Sequence, residues 1–342
     1  MATQAGKFQC ASCGAGMEWD PAAARLVCPA CKSGLEVHPL GSLDEIPFAE
    51  FAGQQRRLSE TALEVRCGGC GAVTQFEPGQ VAGKCPFCAA AIVMQPKAAD
   101  PLIAPHGVLP FAVTSDRAAG AVKAWLGGLW FAPNDLKAVA QQEGLQGVYI
   151  PYWTYDAETY SEYSGRRGKW FVDQRGQRQL AWTECSGSVV CAFDDVLAPA
   201  SKAVQPARLD ALEPWRLDAV KPYEAAYLAG FKAQRYQVEL KDGFSHAASK
   251  MRVAIEGMAV RDIGGDQQQV TGVRTRYAGL TFKHVLLPVW IGAYRYRGQV
   301  FQVVANAQSG TVSGERPVSA AKVALAVLLA LILLCAWLYL RD

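Results

Sequence analysis

Two blocks of cysteine near the start of the chain limit what it can fold into more than any other feature. Cys10, Cys13, Cys28 and Cys31 form the first block; Cys67, Cys70, Cys85 and Cys88 form the second. Each reads Cys-x-x-Cys, fourteen residues, Cys-x-x-Cys. Two residues between cysteines let a tight turn aim both sulfurs at one ion, and the spacer folds back as a hairpin to bring the second pair. Four thiolates close a tetrahedral site with no open position, so the ion holds structure and activates no water. A module of about 30 residues buries too little surface to fold unaided, and the metal supplies much of its folding free energy.

The blocks repeat each other. Gly14, Ala15, Pro21 and Pro29 recur as Gly71, Ala72, Pro78 and Pro86, and Trp19 aligns with Phe76. The repetition predicts one hairpin used twice, with the aromatic packed beside the metal and the proline opening the turn. Two zinc ions per chain are expected, and the Cys-Pro-x-Cys knuckles leave rubredoxin-like iron as the alternative. Metal-binding thiolates must stay reduced, and MATQAGKFQCASCG has no apolar stretch of the signal-peptide kind. The N-terminal domains are therefore expected in the cytoplasm.

A formal charge of +3 over 342 residues argues against nucleic acid as the partner. In the first block Lys7, Arg25 and Lys32 are cancelled by Glu18, Asp20 and Glu36; in the second, Arg66, Lys84 and Lys97 face Glu64 and Glu77. A zinc ion in four thiolates adds about two negative charges to each. Phosphate neutralisation dominates nucleic-acid affinity, so protein contact is the better expectation.

Val323 to Leu340 is apolar without interruption. Eighteen residues at about 1.5 Å each nearly cover a hydrocarbon core of roughly 30 Å. Trp337 and Tyr339 fall at the far boundary, where amphipathic rings favour the interface. Arg316 and Lys322 precede the run and only Arg341 follows, a weak bias that keeps the large domain on the cytoplasmic side. The expectation is a single-pass, C-terminal anchor over 320–340 in the inner membrane.

Residues 98–317 mix helix and strand patterns and are expected to form an α+β domain. Thr114, Ser115 and Asp116 cap a helix whose apolar face includes Ala119, Val122, Trp125 and Leu126; Pro133-Asn134-Asp135 starts another. Further helices are expected over 222–236 and 245–261, and strands over 148–163, 186–193, 285–296 and 299–304. Val148-Tyr-Ile-Pro151-Tyr-Trp153 is echoed by Val285-Leu-Leu-Pro288-Val-Trp290. Proline is tolerated at sheet edges, so the echo suggests two similar edge strands and an internal duplication.

Nothing in the pattern carries chemistry on a substrate. His38, His106, His246 and His284 are scattered, with no HExxH, no phosphate-binding GxxxxGK[ST] and no GxSxG. Cys185 and Cys191 read as small apolar residues on one strand face.

The motifs CASCG…CPAC and CGGCG…CPFC, with Gly147-Val-Tyr-Ile-Pro-Tyr-Trp153, His284-Val-Leu-Leu-Pro-Val-Trp290 and the closing apolar helix, resemble a family of bacterial membrane proteins with paired zinc ribbons. Its members are labelled TFIIB-type zinc-ribbon proteins or primosomal protein N′ (replication restart helicase)-like. The helicase label does not fit a chain without a nucleotide-binding loop. The resemblance implies neighbours of the phage-shock (PspA-like) and SPFH types and a role at a stressed membrane. The expected organisation is multidomain: rubredoxin-like zinc ribbons over 1–37 and 64–97, a linker over 38–63, the α+β domain over 98–317 and the transmembrane helix. The expected function is a non-enzymatic adaptor that recruits cytoplasmic proteins to the bilayer, with a membrane-tethered nucleic-acid binder and an iron electron carrier as alternatives.

Overall fold

The computed structural model describes residues 8–39, 41–51, 63–67, 73–76, 82–85, 87, 91–93, 103–133, 144–296 and 299–341. The first cysteine block folds as a small antiparallel sheet of β1 (Glu18–Asp20), β2 (Arg25–Val27) and β3 (Gly34–Leu35). Trp19, expected beside the metal, is used to fix this sheet to the large domain. Its Nε1 donates to Phe111 O at 3.0 Å, its amide donates to Ala229 O at 3.0 Å, and its ring meets Tyr227 edge-on.

Part of the segment expected as a linker, Ile46 to Phe48, lies against the large domain. β4 (Ile46–Pro47) pairs with Phe282 and Thr281, and Phe48, opening α1 (Phe48–Phe51), packs on Tyr155, Phe244 and Phe282. In the second block β5 (Leu63–Arg66) pairs with β6 (Val73–Phe76) and β7 (Ala82–Lys84) with β8 (Ala91–Val93). Phe87 beside it is buried, and its carbonyl accepts from Gln302 Nε2 at 2.9 Å.

The large domain is built on a mixed sheet. Its elements are β9 (Gly107–Val108), α2 (Ser115–Gly128), β10 (Gln146–Val172), β11 (Arg178–Pro199), α3 (Pro206–Asp210), β12 (Lys221–Pro222), β13 (Lys232–Ala233), α4 (Leu240–Ile263), β14 (Gln267–Tyr296), β15 (Gln299–Asn306) and β16 (Val312–Gly314). The antiparallel path runs β11-β10-β14-β15-β16, while β13 lies parallel to β10 and β9 parallel to β14. Thr114 caps α2 as expected, and the buried face is Ala118, Val122 and Leu126, with Ala119 exposed. The helix expected to start at Pro133-Asn134-Asp135 lies outside the described residues.

No helix forms over 222–236. That stretch holds β12, a 3-10 turn at Ala225–Leu228 and β13. Tertiary partners take its backbone groups one by one: Ala229 O accepts from Trp19, Tyr227 O from Tyr149 Oη at 2.9 Å, and Lys232 and Ala233 pair with β10. Helical periodicity in the sequence loses to these contacts.

The two proline-tryptophan segments are central, not at edges. They pair with each other: Ile150 faces Leu287, Tyr149 faces Pro288 and Pro151 faces Leu286. A local twofold therefore passes through the Ile150–Leu287 pair. The contacts around it are duplicated. Trp153 Nε1 donates to Val238 O at 2.9 Å, and Trp290 Nε1 to Val113 O at 2.8 Å. Gln234 N donates to Tyr149 O and Leu109 N to Leu286 O, both at 2.9 Å. Val238 and Val113 each run into a helix, α4 and α2.

The halves differ in length. Beyond the bulges at Asp156, β10, β11 and β14 continue as a three-stranded arm, and sixteen further residues of β10 span roughly 50 Å. Odd positions from Ala157 to Gly165 are buried and even ones exposed, because α4 covers one face only. The helix does so through Leu240, Gly243, Ala247, Met251, Ile255, Ala259 and Ile263. A near-constant step of four residues winds this stripe around the helix, matching the twist of the strands beneath.

α5 (Ala320–Arg341) follows β16, and its stretch from Ala320 to Leu338 has no buried residue.

The tightest approach of α4 to the sheet is at Gly243, where a Cβ would lie 2.5 Å from the Trp153 ring and 2.7 Å from Tyr155 Oη. Gly243→Ala is expected to lower unfolding free energy by about 1–3 kcal/mol in denaturant titration of the detergent-solubilised chain. An unchanged midpoint would place the helix elsewhere.

Candidate metal centre

Cys10 and Cys13 sit at a turn before β1, Cys28 and Cys31 at a turn between β2 and β3. The two turns are built alike. Gly14 N donates to Cys10 O and Lys32 N to Cys28 O, at 2.8 and 2.9 Å. Cys10 N donates to Ala15 O and Cys28 N to Ser33 O, at 2.8 and 2.9 Å. Both turns need a left-handed residue after the second cysteine: Gly14 has φ 73° and Lys32 φ 63°. Only glycine takes that conformation without cost, so Lys32 is held there by the turn's hydrogen bonds.

All four sulfurs lie within 4.8 Å of one another, with Cys10–Cys31 and Cys13–Cys28 at 3.5 Å. A tetrahedral ion with bonds of about 2.3 Å to sulfur places its ligands about 3.8 Å apart, so the set fits one metal ion. Cys10 and Cys28 are buried, Cys13 and Cys31 exposed. Ser33, which the sequence did not single out, supports the pair that joins the two turns: its Oγ lies 2.9 Å from Cys10 Sγ and 3.0 Å from Cys31 Sγ. That hydroxyl, then the Ser12 amide, brings the Cys10 thiol down to about 6, and Ser33 also lowers Cys31. Cys13 is pushed up to about 12, because the crowd of thiols led by Cys28 outweighs the lowering by the Ala15 amide. Metal binding by such a set displaces the thiol protons.

Of the second block, Cys67 and Cys85 are described and buried, and Phe87 N lies 3.4 Å from Cys85 Sγ. Cys70 and Cys88 lie outside the described residues.

A group of carboxylates also comes together: Glu45 before β4, Asp156 at the β10 bulge and Asp195 in β11. Lys283 occupies the middle as their counter-ion, bonded to Glu45 and 2.8 Å from Asp195. The Lys283 ammonium offsets one of the three carboxylate charges. Asp156 is raised to about 6, first by burial and then by Glu45, against the lowering effect of the Asp195 amide and Lys283.

Two of the four histidines, separate in sequence, come together: His284 N donates to His106 Nδ1 at 2.9 Å. His284 is buried and held neutral, lowered to about 3 by burial and then by His106. Its Nδ1 lies 3.0 Å from Ile103 O. His246 does have a carboxylate partner, brought from α3: Asp210 at 3.0 Å, which also binds Lys250 at 2.8 Å. His38 sits 3.7 Å from Glu36 on the surface. Cys185 and Cys191 share a face of β11 but stand about 20 Å apart along it, beyond disulfide reach.

The chain is 28% identical to the uncharacterized protein YdjG of Bacillus subtilis (strain 168) over 234 residues, which are 65% of this chain and 66% of that protein, just short of two thirds. No family model matches the chain. No solved structure matches it.

Cys28→Ser is expected to lower metal content by one atom per chain in elemental analysis, whereas Ser33→Ala keeps the metal but binds it about 10-fold more weakly in a chelator competition. Equal metal content in Cys28→Ser and wild type would exclude the site. Asp156 supplies a pH test. Its folded value lies above the unfolded 3.8, so the native state holds this proton more tightly. The stabilisation is complete below about pH 4 and is lost as pH rises through about 6. Relative to Asp156→Asn, the wild type should lose urea resistance across that window; parallel profiles would contradict the assignment.

Proposed function

We propose that this protein is a non-enzymatic membrane adaptor, held by α5 in the inner membrane with its metal-stapled ribbons and large domain in the cytoplasm. Zinc is the ion assigned to Cys10, Cys13, Cys28 and Cys31, and a second zinc to Cys67, Cys70, Cys85 and Cys88, each within a rubredoxin-like ribbon. Four thiolates suit zinc and leave no position for substrate. A colourless protein with two zinc atoms is expected; a red one with visible charge-transfer absorption would mean iron.

The observation that carries the adaptor reading is the bare end of the arm. Between Lys169 and Ser188 no residue is buried among those described, and Trp170, Phe171, Val172 and Trp182 are exposed together. The same strand ends carry Arg166, Arg167, Lys169, Arg175 and Arg178 against Asp173 and Glu184, with Asp266 accepting from Trp170 N at 2.8 Å. Exposed aromatics among cations are costly to keep in water and suit an acidic protein surface. The resemblance noted above supplies a class of partner, the PspA-like and SPFH-type proteins.

One feature favours the second reading, a membrane-tethered nucleic-acid binder. Arg166 lies over the Trp182 ring at 5.6 Å and Arg178 over Trp170 at 5.5 Å, the kind of stacked platform that also accepts unpaired bases.

Affinity purification of the full chain from detergent, followed by mass spectrometry, separates the two. Trp170→Ala with Trp182→Ala is expected to reduce recovery of a specific protein by about tenfold while leaving the chain folded and membrane-bound. Identical partners for variant and wild type would remove the arm from the adaptor reading. A salt-dependent shift of DNA or RNA, lost in the same variant, would move the assignment to the second reading.

A further inference from the structure

We propose that the loop after α2 is a second membrane contact, with Trp130 and Phe131 seated in the interfacial layer beside α5. This rests on the reading of α5 as a membrane anchor. Trp130 is 59% exposed and Phe131 40%, and their rings meet edge-on at 5.0 Å. Two adjacent large aromatics left in water just past the end of α2 need a partner. The bond pattern says which one. Phe131 O accepts from Ser319 N at 2.8 Å, and Ala132 O accepts from Lys322 Nζ at 2.8 Å. The loop is therefore fastened to the first turn of α5, and Ala132 beside it is buried.

The position along the helix follows from these bonds. Ser319 precedes Val323, the first residue of the apolar run, by four residues, or about 6 Å of helix. An interfacial layer about 5–8 Å thick lies on each side of the hydrocarbon core, so the loop is held at that depth. The helix itself carries aromatics only toward its far end, Trp337 and Tyr339; its near end has none. Trp130 and Phe131 supply the missing half of the aromatic belt from another part of the chain. Lys322, next to the apolar run, turns its ammonium to Ala132 O and is satisfied without entering the lipid. Two points of attachment, a helix and a loop, would fix the tilt of the large domain over the bilayer.

The test uses the full chain with Trp337→Phe, reconstituted in vesicles whose lipids carry bromine near the acyl carbonyls. Bromine quenches only indoles within contact distance. Adding Trp130→Phe is expected to remove most of the remaining quenching, while both chains stay in the membrane after alkaline extraction. Unchanged quenching in a chain that resists extraction would overturn the loop contact and leave the anchor standing. Release of the chain by alkali would instead remove the anchor, and the loop contact with it.

Discussion

The fold depends on two missing donors. Pro151 and Pro288 stand in the two central strands, at positions where a regular antiparallel ladder would exchange two hydrogen bonds with Ala200 and Ala307. Half of each exchange survives: Ala200 N donates to Pro151 O and Ala307 N to Pro288 O, both at 3.0 Å. The other half cannot form, because proline has no N–H. Each alanine carbonyl is thereby free, and each is claimed by the strand that leads into a helix. Ala200 O accepts from Gln237 N and Val238 N; Ala307 O accepts from Ala112 N and Val113 N. A buried carbonyl without a partner would be costly, so the exchange fixes both helix entries at once. The tryptophans complete the joint by donating to the carbonyls of the same two valines.

This joint explains why the halves are interleaved. The short strand before α2 pairs with β14 and the short strand before α4 pairs with β10, so each half closes on the other. Symmetry ends where the helices end. α2 has 14 residues and α4 has 24. The longer helix has an arm to cover, and the shorter one stops at the loop that reaches α5. One pseudo-symmetric core thus carries two unlike extensions, one toward the free arm tip and one toward the apolar helix.

Local patterns were legible in the sequence where spacing alone decides geometry. The Cys-x-x-Cys pairs of the first block, the Thr114 cap and the apolar run are of that kind, and 245–261 appeared as the inner part of α4. The proline-tryptophan echo was visible too, but reading it as two edges misjudged what proline does here. Its missing donor is used for an incoming strand rather than turned to solvent. The stretch 222–236 misled for the opposite reason, since its partners come from residues as distant as Trp19 and Tyr149. Ser33 carried only the weak signal of a hydroxyl two residues after a cysteine. Net charge hid most: +3 over the whole chain is compatible with Arg166, Arg167, Lys169, Arg175 and Arg178 all falling in the one β10–β11 hairpin.

The metal centre and the apolar helix are joined by one line of packed groups. Trp19, held on the ribbon that the cysteines staple, donates to Phe111 O. The Phe111 ring stacks on Phe231 at 3.9 Å and meets Trp290 at 5.2 Å, and Trp290 donates to Val113 O immediately before α2. α2 ends at the loop whose carbonyls bind Ser319 N and Lys322 Nζ. Every link is a buried ring or a backbone hydrogen bond, with no flexible surface ion pair among them. The Trp19 bond to Phe111 O thus ties the four-cysteine turns to the residues just before α2, at the end of the domain from which the apolar helix departs.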